Sequence, residues 1–245
     1  MCAMLTASLK SLFSSPKHFF SSKVFSSAAE ACKDIKSGSS ILVGGWGLTG
    51  YPENSVNAIH KMGLRELKTV SNNIGLPDFG IGLWVQSKQV NKVTASFFGE
   101  SAELYKQYLN GEVEIEVVPQ GTLAEKLRSG GVGIPAFYTP TGLSTILETG
   151  GWVLKYKEGG GNAERIAKPK PKVKFNGKDF LMEETITGDV ALIRATKGDK
   201  HGNLMFDKGI TTFNGDMAAA GRITIAEVSK KLFLNFIKNY NRLKN

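Results

Sequence analysis

A short apolar run that leads directly into a glycine-rich segment is the feature that most constrains this chain. Ile41, Leu42 and Val43 are followed by the sequence GGWGLTGY, and Pro52 then opens a segment with helical periodicity. A continuous apolar run of this length is typical of a strand that is buried on both faces of a parallel sheet. The order of strand, glycine-rich turn and helix therefore predicts a βα unit of an α/β fold.

Apolar periodicity predicts the same alternation along the rest of the chain. We expect helices over residues 26–36, 52–62, 102–109 and 122–128, and strands over residues 41–43, 67–71, 112–118, 190–195 and 223–228. Thr122 and Glu125 form the T-x-x-E pattern of a capping box. Val113, Ile115 and Val117 alternate with other residues, which predicts a half-exposed strand with these three on one face.

An Asn176-Gly177 pair between two apolar runs predicts a β-hairpin over residues 173–183. The stretch 157–172 is rich in lysine, proline and glycine, and is the best candidate for an exposed loop. Together these segments predict an α/β fold with a layered open sheet that is largely parallel, helices on its faces and an antiparallel hairpin addition. We expect this domain to span residues 26–228.

The net charge of +9 is concentrated at the two ends of the chain. Residues 1–29 carry three lysines and residues 229–245 carry five basic residues, and neither end has an acid. The remaining 23 basic and 22 acidic residues leave the body nearly neutral. A nucleic-acid-binding domain needs a basic face on its folded body, so this distribution argues against nucleic acid as a partner.

The first 25 residues have the composition of a mitochondrial transit peptide. They are rich in serine, contain lysine and no acid, and place Leu5, Leu9, Leu12 and Phe13 on one face of a helix. We therefore expect the protein in the mitochondrial matrix, and the alternative is a disordered tail without function.

No apolar run reaches the ~18 residues that a membrane-spanning helix needs, so we expect no membrane as partner.

The glycine-rich segment has more than one interpretation. Gly45, Gly47 and Gly50 match the G-x-G-x-x-G pattern of dinucleotide-binding proteins. That pattern needs an acid at the end of the second strand, whereas this chain has Asn72 and Asn73 there. Two interpretations remain: a turn whose glycines allow a strand and a helix to pack closely, or a loop that presents backbone N–H groups to a ligand.

Longer blocks of the sequence resemble the family I coenzyme A transferases. These blocks are ILVGGWGLTGYPEN (41–54), SNNIGLPDFGIGL (71–83), PQGTLAEKLRSGGVGIPAFYTPTG (119–142), FNGKDFLMEETITGDVALIRA (175–195) and GDKHGNLMF (198–206). The resemblance covers about residues 24–228 and is to the N-terminal, or α-subunit, half of these enzymes. Trp46 stands where the family usually has phenylalanine.

The resemblance implies that coenzyme A moves between two carboxylic acids, from succinyl-CoA to a 3-oxo acid such as acetoacetate. A glutamate of the family attacks the acyl-CoA thioester and then carries the coenzyme A as a glutamyl thioester. That glutamate lies in a Glu-Asn-Gly segment of the second, β-type half, and this sequence contains no such segment. We therefore expect no catalytic nucleophile here, a separate β-type half as partner, and a homo- or hetero-oligomer. The alternative is a non-catalytic chain, either a truncated form or a partner subunit that binds a separate β half.

By the same resemblance, Asn72, Asn73 and Gln120 face the reacting acyl group, and Gly45, Gly47 and Gly50 line the same cleft. From the residues alone, the asparagines could instead cap a turn and Gln120 could precede a helix. Coenzyme A serves as substrate and covalent carrier, and no other cofactor is implied.

Other reactive residue types in the sequence have simpler explanations. Glu53 and Glu100 lie near predicted helix starts, where an acid is favourable, and are better explained as caps than as nucleophiles. Cys2 and Cys32 have no metal-ligand spacing, and no histidine, cysteine or carboxylate cluster suggests a metal site.

The C-terminal tail, residues 229–245, departs from the family pattern. Twelve of residues 230–245 are Phe, Tyr, Ile, Lys or Asn, the residues of AT-rich codons. Two interpretations stay open: read-through of a non-coding stretch, or an amphipathic helix with Leu232, Phe236 and Tyr240 on one face.

Overall fold

The computed structural model of the chain describes residues 23–99 and 101–231. The helices are α1 (Ala28–Cys32), α2 (Glu53–Met62), α3 (Ile81–Gln86), α4 (Ala102–Leu109), α5 (Gln120–Gly131), α6 (Ile146–Thr149) and α7 (Asn214–Ala220), with a 3₁₀ helix at Lys208–Thr211. The strands are β1 (Ser40–Val43), β2 (Leu67–Asn73), β3 (Val90–Phe97), β4 (Glu114–Val117), β5 (Ala136–Thr139), β6 (Val153–Tyr156), β7 (Ala163–Ile166), β8 (Lys172–Phe175), β9 (Lys178–Glu184), β10 (Gly188–Gly198), β11 (Leu204–Met205) and β12 (Gly221–Lys231).

Seven of the described strands form the main sheet, in the order β11-β10-β1-β2-β3-β4, with β12 also paired to β10. The pairings of β1 with β10 and β2, of β2 with β3, of β3 with β4 and of β10 with β12 are parallel. The short strand β11 pairs with β10 in the antiparallel direction. This arrangement confirms the predicted α/β fold with a largely parallel sheet.

Helices cover both faces of the main sheet, which explains why β1 is continuously apolar. Ile41 and Val43 belong to the core shared with α1, α2, α3 and α4. Leu42 points to the opposite core, which contains Leu123 of α5 and Met217 of α7. Because successive strand residues point to opposite faces, both faces of β1 need apolar side chains.

The antiparallel addition is a three-stranded sheet in the order β5-β9-β8. Asn176 and Gly177 join β8 to β9 with positive φ angles of 49° and 76°, as a two-residue hairpin turn requires. The predicted hairpin is therefore confirmed. The prediction of an exposed loop over residues 157–172 was wrong in part, because Ala163–Ile166 forms β7 and pairs with β6.

Two helix predictions need correction. The first helix is shorter than residues 26–36, because the chain turns after Cys32 and so buries Ile35 against the core. The predicted capping box at Thr122 and Glu125 is wrong, because α5 already begins at Gln120, directly after Pro119. Thr122 therefore lies inside the helix.

The predicted strand over residues 112–118 is real, but its exposure pattern is different. Val113 and Ile115 are buried as expected, whereas Val117 is 37% exposed. The Glu114 residue is buried, and its carboxylate pairs with Lys92 at 3.0 Å and with Arg165. Ion pairing offsets the desolvation of Glu114, which simple alternation could not anticipate.

The described residues include no helix that is long and apolar enough to cross a membrane.

Strand β12 continues to Lys231, past the predicted end of the domain at residue 228. Most of the predicted transit peptide (residues 1–22) and of the divergent tail (residues 232–245) lies outside the described residues.

A buried ion pair joins the antiparallel addition to the main body. The Lys126 ammonium of α5 lies 2.9 Å from the Glu183 carboxylate of β9, with side-chain exposures of 8% and 3%. Lys126 also donates a hydrogen bond to the carbonyl of Glu184 at 2.7 Å, and Lys170 contacts the other Glu183 oxygen. Removal of one partner leaves a buried charge without full compensation.

We therefore expect Lys126→Ala to lower the free energy of unfolding by about 3–5 kcal/mol, as measured by urea denaturation. Lys174→Ala is the matched control, because the Lys174 side chain is 65% exposed and lies 3.6 Å from Asp179. The control should change stability by less than about 0.5 kcal/mol. Equal losses for the two variants would show that the buried pair does not stabilise the junction.

Candidate functional site

The carboxyl ends of β1, β2, β3 and β4 meet at one edge of the main sheet, because these strands are parallel neighbours. Loop A (residues 44–52) follows β1 and loop B (residues 74–80) follows β2, while Gln120 lies shortly after β4. All six predicted site residues are therefore at this edge. Gln120 follows β4, which is the second strand from β2 in the sheet. The axes of β2 and β4 are therefore about 10 Å apart.

Loop A is closed by a tight turn at its tip. The backbone N–H groups of Trp46 and Thr49 each donate to the carbonyl of the other residue at 2.9 Å. Gly45, Gly47 and Gly50 have φ angles of 109°, 56° and 68°, which side-chain-bearing residues rarely adopt. The three glycines are thus required by the loop conformation.

Loop B repeats this arrangement on the neighbouring strand. Leu76 and Phe79 exchange backbone hydrogen bonds of 3.0 and 3.1 Å, and Gly75 and Gly80 have φ angles of 80° and 71°. The spacing of Gly75 and Gly80 equals that of Gly45 and Gly50. The sequence analysis missed this repetition, although the equal glycine spacing was a signal for it.

Both asparagines use their side-chain oxygen within the protein. The Oδ1 atom of Asn72 accepts a hydrogen bond from the Gly47 N–H at 2.9 Å, and Oδ1 of Asn73 accepts one from the Gly75 N–H at 3.0 Å. The two are the last residues of β2, and not residues after the strand. Because each oxygen is occupied, the amide NH₂ groups remain as donors. The turn-capping prediction therefore holds for Asn73, whose partner is two residues further on, and is wrong for Asn72, which bonds to loop A. Both bonds are compatible with a donor role of the NH₂ groups.

Gln120 is the first residue of α5 and does not precede the helix. Its Nε2 atom is buried and has no hydrogen-bond acceptor among the described residues. An unpaired buried donor costs about 1–3 kcal/mol, and a ligand that accepts its hydrogen bond would remove that cost. Pro119 supplies no side-chain cap, so the first N–H groups of α5 also contribute positive potential here.

Asn214 is a residue of this edge that the sequence analysis missed. Its Nδ2 donates to the carbonyls of Gly50 and Ile210, both at 3.0 Å, and its Oδ1 accepts from the Arg194 N–H at 2.9 Å. The side chain is fully buried. It therefore anchors the end of loop A to β10 and to the 3₁₀ helix, a contact between segments that are distant in sequence.

Large apolar side chains surround the same edge. Trp46 and Leu48 of loop A, Leu76 of loop B and Phe97 at the end of β3 are each about half exposed. Trp46 also stacks on Phe213, with ring centroids 6.0 Å apart. Exposed apolar groups beside polar donors are typical of binding or subunit-contact surfaces.

The two glutamates that the sequence analysis considered as nucleophiles, Glu53 and Glu100, add nothing to the candidate site. Glu53 lies in the first turn of α2 and is exposed, as expected for a helix-start residue, while Glu100 lies outside the described residues. Within residues 23–99 and 101–231, no group of three or more histidine, cysteine, aspartate or glutamate side chains could hold a metal ion.

Comparison with known proteins identifies relatives over most of the chain. The sequence profile of the family described as "Coenzyme A transferase" matches residues 25–232. A Mycobacterium tuberculosis protein, named as one subunit of a "Probable succinyl-CoA:3-ketoacid coenzyme A transferase", is 48% identical over 206 residues, which are 84% of this chain and 83% of the relative. A mouse protein named "Succinyl-CoA:3-ketoacid coenzyme A transferase 2A, mitochondrial" is 42% identical over 87% of this chain and 40% of its own length.

Solved structures share the fold. An acyl-CoA transferase of Escherichia coli O157:H7 superposes with a TM-score of 0.71 at 23% identity, over 85% of this chain and 42% of that protein. The glutaconate coenzyme A-transferase of Acidaminococcus fermentans gives a TM-score of 0.66 at 16% identity, over 88% of this chain and 70% of its own.

The close approach of Asn214 to loop A gives a testable prediction. A Cβ atom on Gly44 would lie 2.1 Å from the Asn214 Oδ1 atom, so Gly44→Ala must displace this buried amide. We expect a loss of about 1–3 kcal/mol in the free energy of unfolding, measured by urea denaturation. Gly215→Ala is the control, because nothing lies within 4 Å of a Cβ there and α7 favours alanine. A stability of Gly44→Ala equal to that of the control would refute the anchoring role.

Proposed function

Because the chain belongs to the coenzyme A transferase family, we propose that it supplies the α-half of an active-site cleft that transfers coenzyme A. The donor is succinyl-CoA and the acceptor is a 3-oxo acid such as acetoacetate. The names of the Mycobacterium tuberculosis and mouse relatives support this substrate pair. The observation that carries the proposal is the buried, unpaired Nε2 of Gln120 at the edge that also holds Asn72 and Asn73.

Neutral amide donors suit the proposed reaction. Attack of a carboxylate on a thioester places negative charge on the carbonyl oxygen, and donors aimed at that oxygen lower the barrier. The two acids that exchange the coenzyme A are themselves carboxylates. Amides donate hydrogen bonds to them without a full positive charge, so release of the product acid is not opposed by a strong ion pair.

The proposed nucleophile is a glutamate of a β-type partner half. The Mycobacterium tuberculosis relative is named as one subunit of its enzyme, which supports the existence of a second one. The exposed apolar groups Trp46, Leu48, Leu76 and Phe97 are suited to contact with that half.

We further propose that coenzyme A is substrate and covalent carrier without another cofactor, and that the protein acts in the mitochondrial matrix. The last point is supported by the basic, serine-rich N-terminus and by the mitochondrial mouse relative.

The proposal predicts that the purified chain alone forms no glutamyl thioester and transfers no coenzyme A, because donors without a nucleophile cannot form the intermediate. Addition of a separately produced β-type half should restore transfer. Incubation with acyl-CoA, borohydride reduction and mass spectrometry would locate the modified glutamate. An adduct on Glu53 of the isolated chain would contradict the assignment of the nucleophile to the partner.

In the reconstituted complex, Gln120→Ala should lower kcat by about 10²–10³-fold, the loss expected for one oxyanion donor. Gln86→Ala is the matched control, because Gln86 is exposed at the end of α3. A succinyl-CoA and acetoacetate assay compares the two variants. Transfer at the wild-type rate in Gln120→Ala would remove the central support for the proposed site.

A further inference from the structure

We infer that Tyr51 is a positioning residue that couples loop A to loop B, so that the two loops hold the Asn72 amide as one unit. This inference rests on the proposed function for its effect on the reaction. Tyr51 lies in loop A, and its ring is 4% exposed. Its hydroxyl oxygen accepts a hydrogen bond from the Ile81 N–H at 3.0 Å, directly after loop B.

The bond to Ile81 replaces a cap that α3 lacks. Gly80 occupies the N-cap position of α3 and has no side chain with which to accept from the first N–H groups of the helix. The hydroxyl of Tyr51 satisfies one of these buried donors from a different loop. The start of α3 therefore depends on the position of loop A.

The Tyr51 ring also fills the space between the two loops. A Cβ atom on Gly80 would lie 3.0–3.2 Å from Tyr51 atoms, so loop B approaches the phenol as closely as a glycine permits. The ring packs against Phe79 of loop B, with centroids 5.5 Å apart. Displacement of either loop would therefore disturb the other.

A second hydrogen bond, near the tip of loop A, links this loop to β2. The Gly47 N–H donates to Asn72 Oδ1 at 2.9 Å, and Asn72 lies in β2, which leads into loop B. Loop A is thus bonded to the chain on both sides of loop B: to Asn72 before it and to Ile81 after it. Because Gly47 fixes which way the Asn72 amide points, a shift of loop A would rotate the donor that Asn72 presents.

Kinetics of the complex with a β-type half test this coupling. Tyr51→Phe keeps the ring and removes the acceptor for Ile81, and we expect kcat to fall about tenfold with little change in the KM for the acid, because a small misplacement of donors weakens transition-state binding. In an Asn72→Ala background the same change should have almost no further effect, since coupled residues are non-additive. Tyr108→Phe is the control, because it also removes a buried hydroxyl. That hydroxyl donates to the Val153 carbonyl in β6, which pairs with β7 and belongs to neither loop.

Amide hydrogen exchange of the full chain gives a readout that does not need activity. Tyr51→Phe should speed exchange of both the Ile81 and the Gly47 N–H groups, whereas Tyr108→Phe should leave both unchanged. Faster exchange at Ile81 with unchanged exchange at Gly47 would overturn the coupling, because Tyr51 would then be a local cap. If the wild-type complex transfers no coenzyme A, the proposed function fails, and the exchange of Gly47 still decides the coupling.

Discussion

The parallel pairing of neighbouring strands, from β10 through β1, β2 and β3 to β4, determines where the groups of the candidate site lie. Parallel neighbours bring their carboxyl ends to the same edge, so the loops that follow them become neighbours in space. Loop A, loop B and the start of α5 are distant in sequence and meet only because of this pairing. The apolar run Ile41–Val43 stabilises the arrangement from within, since it contributes to the cores on both faces of the sheet.

Backbone conformation and side-chain amides then give this edge its chemistry. Positive φ angles at Gly45, Gly47 and Gly50 turn loop A so that the Gly47 N–H reaches Asn72. That bond occupies the amide oxygen and leaves the NH₂ group as a donor. The amide donors of this edge are suited to the acyl and carboxylate oxygens of the substrates that we propose.

Local patterns predicted the local parts of the fold, and the family resemblance indicated the candidate donor residues, whereas long-range contacts could not be predicted from either. The βα unit around loop A and the Asn176-Gly177 hairpin depend on neighbours in sequence and were found. Strand β3 was missed because Asn91, Lys92 and Thr94 interrupt its apolar pattern. The roles of Tyr51 and Asn214 depend on partners that folding brings together, and no sequence spacing indicates them. The family resemblance indicated Gln120, but its unpaired Nε2 is visible only in the folded chain.

The buried ion pairs lie in a different part of the chain from the amide donors of the candidate site. Two buried carboxylates of the described chain, Glu114 and Glu183, are held by cations at the β4 start and in the antiparallel addition, away from the carboxyl ends of β1 and β2. A buried ion pair binds its partners strongly and resists exchange. Such pairs suit structural junctions, whereas a surface that must take up and release carboxylates in turn is better served by neutral amides. The chain therefore keeps its buried ion pairs apart from the groups that we propose to bind substrate.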